Sequence, residues 1–355
     1  MNIKQFITEF ESIISAPDGV RHVKELVLQL AITGQLTDRV SNDTPASALL
    51  ILNKEKQAEL ISDGLLKRQH PLPPISDDEQ PWQLPAGWAW CRLGEITSYG
   101  NSQKANLEDV STDTWVLELE DIEKGTSQLL NKVVAKNRRF KSTKNRFLKG
   151  AVLYGKLRPY LDKVIISDAE GVCTTEIEPI NFYYQIQAEY LKWYFKSPFF
   201  MSYAASSTKG MSLPRLGTTD ARNAPFPLPP AQEQKEIVNS INRIMSICSK
   251  LESQKEDSNR IYANLVNAAF SKISVFDTKD SIESAWSIIN NNNRILLSSN
   301  IGVAAYRQVI IDLAMSGMLY KHSQSRIKSD GSTLLRAIAD KRNSWHSKAE
   351  GQELK

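Results

Sequence analysis

Residues 231–270 read AQEQKEIVNSINRIMSICSKLESQKEDSNRIYANLVNAAF, and this stretch decides the architecture of the chain. Its apolar residues recur at alternating steps of four and three, the heptad spacing of a helix that packs along another helix. The seam residues are Ile237, Ile241, Ile244, Cys248, Leu251, Tyr262 and Leu265. Two prolines precede the stretch and Glu233 lies in its first turn, as is typical of a helix start. We therefore predict one long spacer helix with a coiled-coil seam.

Two Pro-rich segments bound the region before this helix. The first, residues 71–83, follows an N-terminal helical segment over residues 1–70 and reads as a linker. The second is APFPLPPAQEQ, which leads into the spacer helix. Between them lie short β-rich runs, namely TWVLELEDI, GAVLYGKL and KVIISD, and one helix is expected over residues 188–206. The pattern predicts a mixed, strand-rich α/β domain over residues 84–230.

One phrase occurs twice in the chain. LQLAITGQL at residues 28–36 returns as IDLAMSGML at residues 311–319. Each copy predicts a helix that ends at a Gly, and a second amphipathic helix follows each. We therefore expect residues 302–355 to be a second copy of the N-terminal helical segment, joined to the spacer helix by a connector over residues 271–301. The expected fold class is α+β: the strand-rich domain, the spacer helix, and helical N- and C-terminal repeats.

Composition excludes several classes of protein. The chain has 355 residues, of which 41% are hydrophobic, and no apolar run approaches the roughly 20 residues needed to cross a membrane. Its three cysteines are isolated, which argues against a disulfide framework and a zinc cluster and predicts a reducing, cytoplasmic location. The four histidines lie outside residues 84–230, and no Gly-rich phosphate loop is present. We therefore expect no catalytic residue, bound metal or cofactor in this chain.

One enzymatic alternative remains at the level of sequence. Asp220, Glu233 and Lys235 superficially resemble the carboxylate-x-Lys set of metal-dependent nucleases. However, Glu233 and Lys235 open a long helix directly after a Pro run, where an acidic residue is favoured because of the positive helix end. Magnesium-dependent cleavage of DNA by the pure chain would therefore be needed to support the nuclease alternative.

Charge is segregated within the strand-rich domain. Residues 132–163 contain eleven basic residues and one acid, whereas residues 107–122 contain six acids and no base. Such segregation favours a positive face for a polyanion, although a basic run can also be an ordinary solvated surface. The candidate DNA contacts are Lys156, Arg158, Tyr160, Lys163, Arg138, Arg139, Lys141, Lys144, Arg146, Lys209 and Arg215. Basic side chains neutralise phosphates, and Arg can also bind guanine edges.

Three motifs in order along the chain carry a family resemblance. They are LPAGWAWCRLGEI at residues 84–96, NRFLKGAVLYGKLRPYLDKVIIS at residues 145–167, and PLPPAQEQKEI at residues 227–237. With them the sequence resembles the specificity subunit of type I restriction–modification systems. That family has two target-recognition domains separated by two long helices, so this chain would hold one recognition domain and a truncated second half.

The resemblance implies a non-catalytic subunit that binds one half of a split duplex DNA target. It implies that type I methyltransferase (modification) subunits dock on it, and that a restriction/translocase subunit can join them. S-adenosylmethionine, ATP and Mg would then be used only by those partners. Homodimerisation could cover the exposed seam of a lone spacer helix. The alternative is a partner-binding, regulatory half-subunit without productive DNA recognition.

Overall fold

The computed structural model describes residues 14, 16, 18–38, 43–208, 212–271, 286–287, 289–315 and 331–350. The chain forms two compact units, one that runs to Ser253 and one that begins at Gln254. The helices are α1 (Gly19–Ile32), α2 (Ala46–Ser62), α3 (Leu93–Ile96), α4 (Ala188–Lys196), α5 (Pro198–Ser207), α6 (Thr218–Asn223), α7 (Ala231–Ser271), α8 (Asn293–Leu296), α9 (Asn300–Met315) and α10 (Gly331–Glu350). Among the described residues, none of these helices is long and apolar enough to cross a membrane.

The strands all lie in the first unit. They are β1 (Ala89–Arg92), β2 (Lys104–Ala105), β3 (Trp115–Leu117), β4 (Lys144–Phe147), β5 (Val152–Gly155), β6 (Val164–Ile166), β7 (Gly171–Cys173), β8 (Ile177–Ile180) and β9 (Pro225–Leu228). They form three small sheets, ordered β1-β9, β2-β4-β7-β3 and β6-β5-β8. All pairs are antiparallel except β3 with β7. The expected mixed α+β class is confirmed, and the three β-rich runs of the sequence correspond to β3, β5 and β6.

The single helix expected over residues 188–206 is wrong. The structure has two helices there, because α4 ends at Lys196 and α5 begins at Pro198. A residue before proline is pushed out of the helical region, and Ser197 has an extended conformation with ψ 148°. The Ser197 hydroxyl then accepts a hydrogen bond from Phe200 N–H at 3.2 Å, which caps α5. The break gives α4 a defined last residue.

The N-terminal helices pack on the strand-rich domain. The helix α1 buries Val20, Val23 and Val27, which follow helical spacing, and it ends as predicted, with Gly34 in the left-handed region at φ 67°. The helix α2 buries Asn53, whose side-chain amide donates to the carbonyl oxygen of Tyr184 at 3.0 Å and accepts from its N–H at 3.0 Å. These two bonds fix α2 against the segment before α4.

The helix α7 begins in the first unit and ends in the second. Of the seam residues, Ile237, Ile241 and Cys248 are buried in the core of the first unit, with Ile244 and Leu251 partly buried beside them. The seam thus packs on this chain's own N-terminal helices, and Lys24 on α1 binds Glu252 at 2.6 Å.

In the second unit α7 packs on α8 and α9. Leu265 is 49% exposed, and Val266 is fully buried with Phe270 against residues of α8 and α9. Tyr262 lies partly buried beside them and donates to the carbonyl oxygen of Leu296 at 2.8 Å. Val266 rather than Leu265 therefore packs inside this unit, and the assignment of Leu265 to a seam for a partner helix stays a prediction.

The predicted linker over residues 71–83 is irregular except for one 3-10 turn, Asp77–Glu79. All five guanidinium N–H groups of Arg92 on β1 are used, and four of them hold the segment to the domain. Two of these bonds reach the Glu79 carboxylate, at 2.6 and 2.7 Å, and two reach the carbonyl oxygens of Pro73 and Pro74, at 3.0 and 2.9 Å. The fifth reaches the carbonyl oxygen of Asn223 at 2.7 Å. The segment is therefore fastened along its length.

Candidate nucleic-acid interface

Two loops of the strand-rich domain lie side by side. The first, residues 155–162, follows β5, and the second, residues 212–216, precedes α6. A β-bridge pairs Leu157 with Arg215, and two backbone hydrogen bonds of 2.7 and 3.1 Å flank it. We call these segments the paired loops. They carry four of the predicted DNA contacts, Lys156, Arg158, Tyr160 and Arg215.

Two of the three cations among these residues are bound by carboxylates. The Arg215 guanidinium makes two hydrogen bonds to the Glu176 carboxylate, at 2.8 and 2.7 Å, and half of the Arg215 side chain stays exposed. Lys156 contacts the buried carboxylate of Glu178 at 3.3 Å, and most of the Lys156 side chain is covered. Arg215 is therefore held in one orientation at the surface, whereas Lys156 mainly supports the loop.

Arg158 and Tyr160 lie at a tight turn, Pro159–Leu161. Arg158 precedes it in the left-handed conformation at φ 51°, and its buried Nε has no hydrogen-bond partner among the described residues. Tyr160 is 61% exposed, so the turn presents an aromatic side chain to solvent between two basic residues. Lys163, just after the turn, instead donates to the carbonyl oxygen of Leu119 at 2.7 Å, and burial lowers its pKa.

The basic run before β5 folds against the acidic segment of residues 107–122. Arg138 binds both oxygens of the buried Asp121 carboxylate, which raises the pKa of Arg138. Lys144 is buried and pairs with Glu118. Opposite charges that are separate along the sequence therefore neutralise each other in space, and the basic run is less positive at the surface than its composition indicates.

The remaining predicted contacts are distributed around these pairs. Arg139 and Lys141 are exposed, and Arg146 is half-buried and donates to the carbonyl oxygen of Asp109 at 2.7 Å. Lys209 lies outside the described residues. The structure thus brings together the candidates of the paired loops and separates Arg138, Lys144 and Lys163 from solvent. An exposed aromatic residue on one loop and a fixed guanidinium on the adjacent loop suit stacking and phosphate or base-edge contact.

One residue of the nuclease alternative, Glu233, has a structural role. The Glu233 carboxylate is buried in the first turn of α7 and accepts a hydrogen bond from Trp88 Nε1 at 3.0 Å. Its backbone N–H donates to the Asp43 carboxylate at 2.8 Å, which caps the helix. In the part of the chain that the structure describes, no group of three or more His, Cys, Asp or Glu side chains could hold a metal ion.

Comparison with known proteins finds a family model that matches the strand-rich domain. Residues 85–258 match the family described as the type I restriction modification DNA specificity domain. The chain is 29% identical over 332 residues to the type I restriction enzyme EcoAI specificity subunit of Escherichia coli, covering 91% of this chain and 56% of that protein. It is 28% identical over 330 residues to the EcoEI specificity subunit of the same organism, covering 90% and 54%. The chain therefore spans about half the length of these relatives.

Two solved structures are also similar. The HsdS subunit from Thermoanaerobacter tengcongensis matches with a TM-score of 0.46 and 22% identity, covering 55% of this chain and 51% of that one. A structure of the type I R-M system, described in terms of complex assembly and conformational transition, matches with a TM-score of 0.47 and 23% identity, covering 53% and 50%. The family match is placed on the residues that hold the paired loops. Residues 85–258 are thus similar to the type I restriction modification DNA specificity domain.

Proposed function

We propose that this chain is a non-catalytic DNA-recognition subunit of a type I restriction–modification complex, and that residues 84–230 bind one half of a bipartite duplex target. The observation that carries the proposal is the DNA specificity domain match, which includes both paired loops. The exposed Tyr160 and the fixed guanidinium of Arg215 support it, because they can contact bases and phosphates without any conformational search. In this proposal Arg158, Tyr160 and Arg215 are the first DNA contacts, with Arg139 and Lys141 as peripheral phosphate contacts.

Partners follow from the same proposal. Type I methyltransferase subunits would dock on α7 and the recognition domain, a restriction/translocase subunit would join them, and S-adenosylmethionine, ATP and Mg would act in those partners. The second unit offers further surface for assembly. Leu28 and Ile32 are buried on α1, whereas their counterparts in the duplicated phrase, Ile311 and Met315, are 54% and 84% exposed on α9. These apolar side chains support docking of a further protein surface, either a second copy of this chain or a partner subunit.

The proposed location is the cytoplasm, where such a complex meets DNA. All three cysteines, Cys91, Cys173 and Cys248, are unoxidised and buried. Burial raises the pKa of each thiol, and this keeps them unreactive. Thiols of this kind agree with a reducing compartment.

The test is selection from random duplex DNA by the chain reconstituted with its methyltransferase subunit. A short asymmetric motif is the expected result, and two such motifs at fixed spacing would mean that the chain works as a homodimer. A stable complex that selects no motif would contradict the proposal and favour a partner-binding regulatory half-subunit.

Charge-reversal variants refine the site. Arg158→Glu should weaken DNA binding about 5- to 150-fold, as expected when a phosphate or base contact worth about 1–3 kcal/mol is lost. Lys54→Glu, an exposed position on α2 in the same unit, is the matched control with the same change in net charge. Equal losses in the two variants would show only a non-specific effect of charge and would remove Arg158 from the interface.

A further inference from the structure

Three residues with left-handed backbone conformations lie at or near the exposed turn of the paired loops. Five described residues other than glycine have positive φ, and three of them are Ser127 at 59°, Arg158 at 51° and Asp162 at 51°. Left-handed conformations at such residues cost on the order of 1 kcal/mol or more and persist only where surrounding contacts hold them. Arg158 and Asp162 flank the turn Pro159–Leu161 directly, so the strain is concentrated where Tyr160 is presented.

Lys196, the last residue of α4, supplies the contacts that hold this turn. Its side chain is 9% exposed, and its ammonium donates to Asp162 Oδ2 at 2.5 Å, to Ser127 Oγ at 3.0 Å and to the carbonyl oxygen of Gly125 at 2.8 Å. All three N–H groups of the ammonium are thereby used. The break between α4 and α5 places Lys196 at a helix end, where a rigid element meets the loops.

Ser127 completes the network. Its hydroxyl donates to the backbone carbonyl oxygen of Asp162 at 2.7 Å and accepts from Val164 N–H at 3.2 Å. A further backbone bond of 3.0 Å joins Gly125 N–H to the carbonyl oxygen of Leu161. The turn is therefore tied on its C-terminal side by Lys196 and Ser127, and on its N-terminal side by the bridge between the paired loops.

This arrangement holds the backbone of a turn whose aromatic side chain the core does not use. Tyr160 is 61% exposed, and burial of its ring does not explain why the turn is so firmly held. Strained backbone conformations cluster at sites that contact other molecules. The two left-handed residues that flank this turn therefore indicate a contact site. An aromatic side chain on a rigid support can stack on a base or wedge between base pairs, with little loss of side-chain entropy on binding.

We propose that Tyr160 is a specificity-determining residue that contacts the bases of the DNA target, and that Lys196 is its positioning residue. The proposal rests on the DNA recognition proposed above and adds a role for a buried residue that makes no contact with DNA. Lys196 acts through the Asp162 carboxylate and the left-handed backbone, so its loss changes which bases are preferred. It leaves electrostatic attraction to phosphates unchanged, because the basic side chains of the surface remain.

The experiment measures base preference, affinity and salt dependence for the reconstituted complex with wild-type chain and with variants. Tyr160→Ala should lower affinity for the selected motif about tenfold, in line with the roughly 1–3 kcal/mol of one base–aromatic stack, and leave affinity for unrelated duplex unchanged. Tyr160→Phe keeps the ring and should keep the motif. Leu148→Ala is the matched control, because Leu148 is also 61% exposed on the same domain.

Lys196→Met should produce the same loss of preference, with an unchanged slope of affinity against salt concentration. In the double variant with Tyr160→Ala the two losses should not add, because both act through one contact. Lys196→Arg keeps the charge and should restore part of the preference. If Lys196→Met unfolds the chain, Asp162→Asn is used instead, because it keeps the shape of the side chain. It is then combined with Tyr160→Ala in the same comparison of single and double variants.

Full retention of the motif by Tyr160→Ala would overturn the role of Tyr160. Additive losses in the double variant would overturn the positioning role of Lys196 and leave it a structural residue. A wild-type complex that selects no motif at all would overturn the proposed function, and this proposal with it.

Discussion

The pair of Arg92 and Glu79 gives a quantitative prediction for the segment of residues 71–83. Glu79→Gln keeps the shape of the side chain but removes the charge that the two short hydrogen bonds from Arg92 require. Arg92 is 3% exposed, so the variant leaves a nearly buried guanidinium without its counter-charge. We expect the first unit to lose stability and the segment to loosen from the domain.

The magnitude follows from the pKa of Glu79. Hydrogen bonds from Arg92 lower this pKa from 4.5 to about 2, which corresponds to roughly 3.4 kcal/mol at neutral pH if all of it is counted as stability. One third of the Glu79 side chain is exposed, so solvent screens the pair, and we expect about 1.5 kcal/mol. For a unit of this size that is a decrease of about 3–6 °C in melting temperature.

The same values fix the pH dependence. Because the folded pKa of Glu79 lies below the unfolded one, the contribution is fully present above pH 4.5 and is lost as pH falls towards 2. Urea denaturation of wild type and Glu79→Gln at pH 7 and near pH 3 measures this difference. Asp78→Asn, at an exposed neighbour in the same turn, is the control and should have little effect. A destabilisation by Glu79→Gln that does not shrink at low pH would refute the ion-pair reasoning.

Three further changes test the packing. Asn53→Ala should cost about 1–2 kcal/mol in the free energy of unfolding, because the partly buried N–H and carbonyl of Tyr184 lose their partners; a value near zero by urea denaturation would contradict the clamp. Val266→Ala should cost about 2 kcal/mol, while Leu265→Ala costs little, and the reverse order in thermal melts would contradict the packing of Val266. Gly171→Ala should destabilise by about 1–3 kcal/mol, since a new methyl carbon would lie 2.6 Å from a backbone oxygen of the adjacent strand β3; wild-type melting would mean that the sheet relaxes freely.

Local patterns allowed much of the fold to be predicted. The spacer helix follows from heptad spacing, the end of α1 at Gly34 from a helix-stop signal, and β3, β5 and β6 from short β-rich runs. The break at Ser197 was missed although Pro198 marks it, because apolar periodicity across the proline looked continuous. The burial of Val266 beside Leu265 was not accessible from heptad spacing, since only the fold brings residues of α8 and α9 against α7.

The candidate site was less accessible from sequence because its contacts are long-range. Nothing near Arg215 indicates that it pairs with Leu157 on a distant loop, and Lys196 lies in an ordinary helical pattern. The acidic and basic segments could each be recognised from the sequence. Their mutual neutralisation, as in the pair of Asp121 with Arg138, became visible only in the folded structure. A run of like charges therefore predicts a charged surface only when the fold does not bring residues of opposite charge against it.

The fastening of residues 71–83 also bears on how such chains can be recombined. A chimera joined at residue 84 would separate Arg92 from its acceptors, and bonds to the carbonyl oxygens of Lys67 and His70, at 3.3 and 3.2 Å, would be lost with them. A join directly after α2, at residues 63–66, would carry the whole set across intact. Exchange of recognition modules between related proteins should therefore succeed when residues 71–83 are included. It should produce poorly folded hybrids when they are left out.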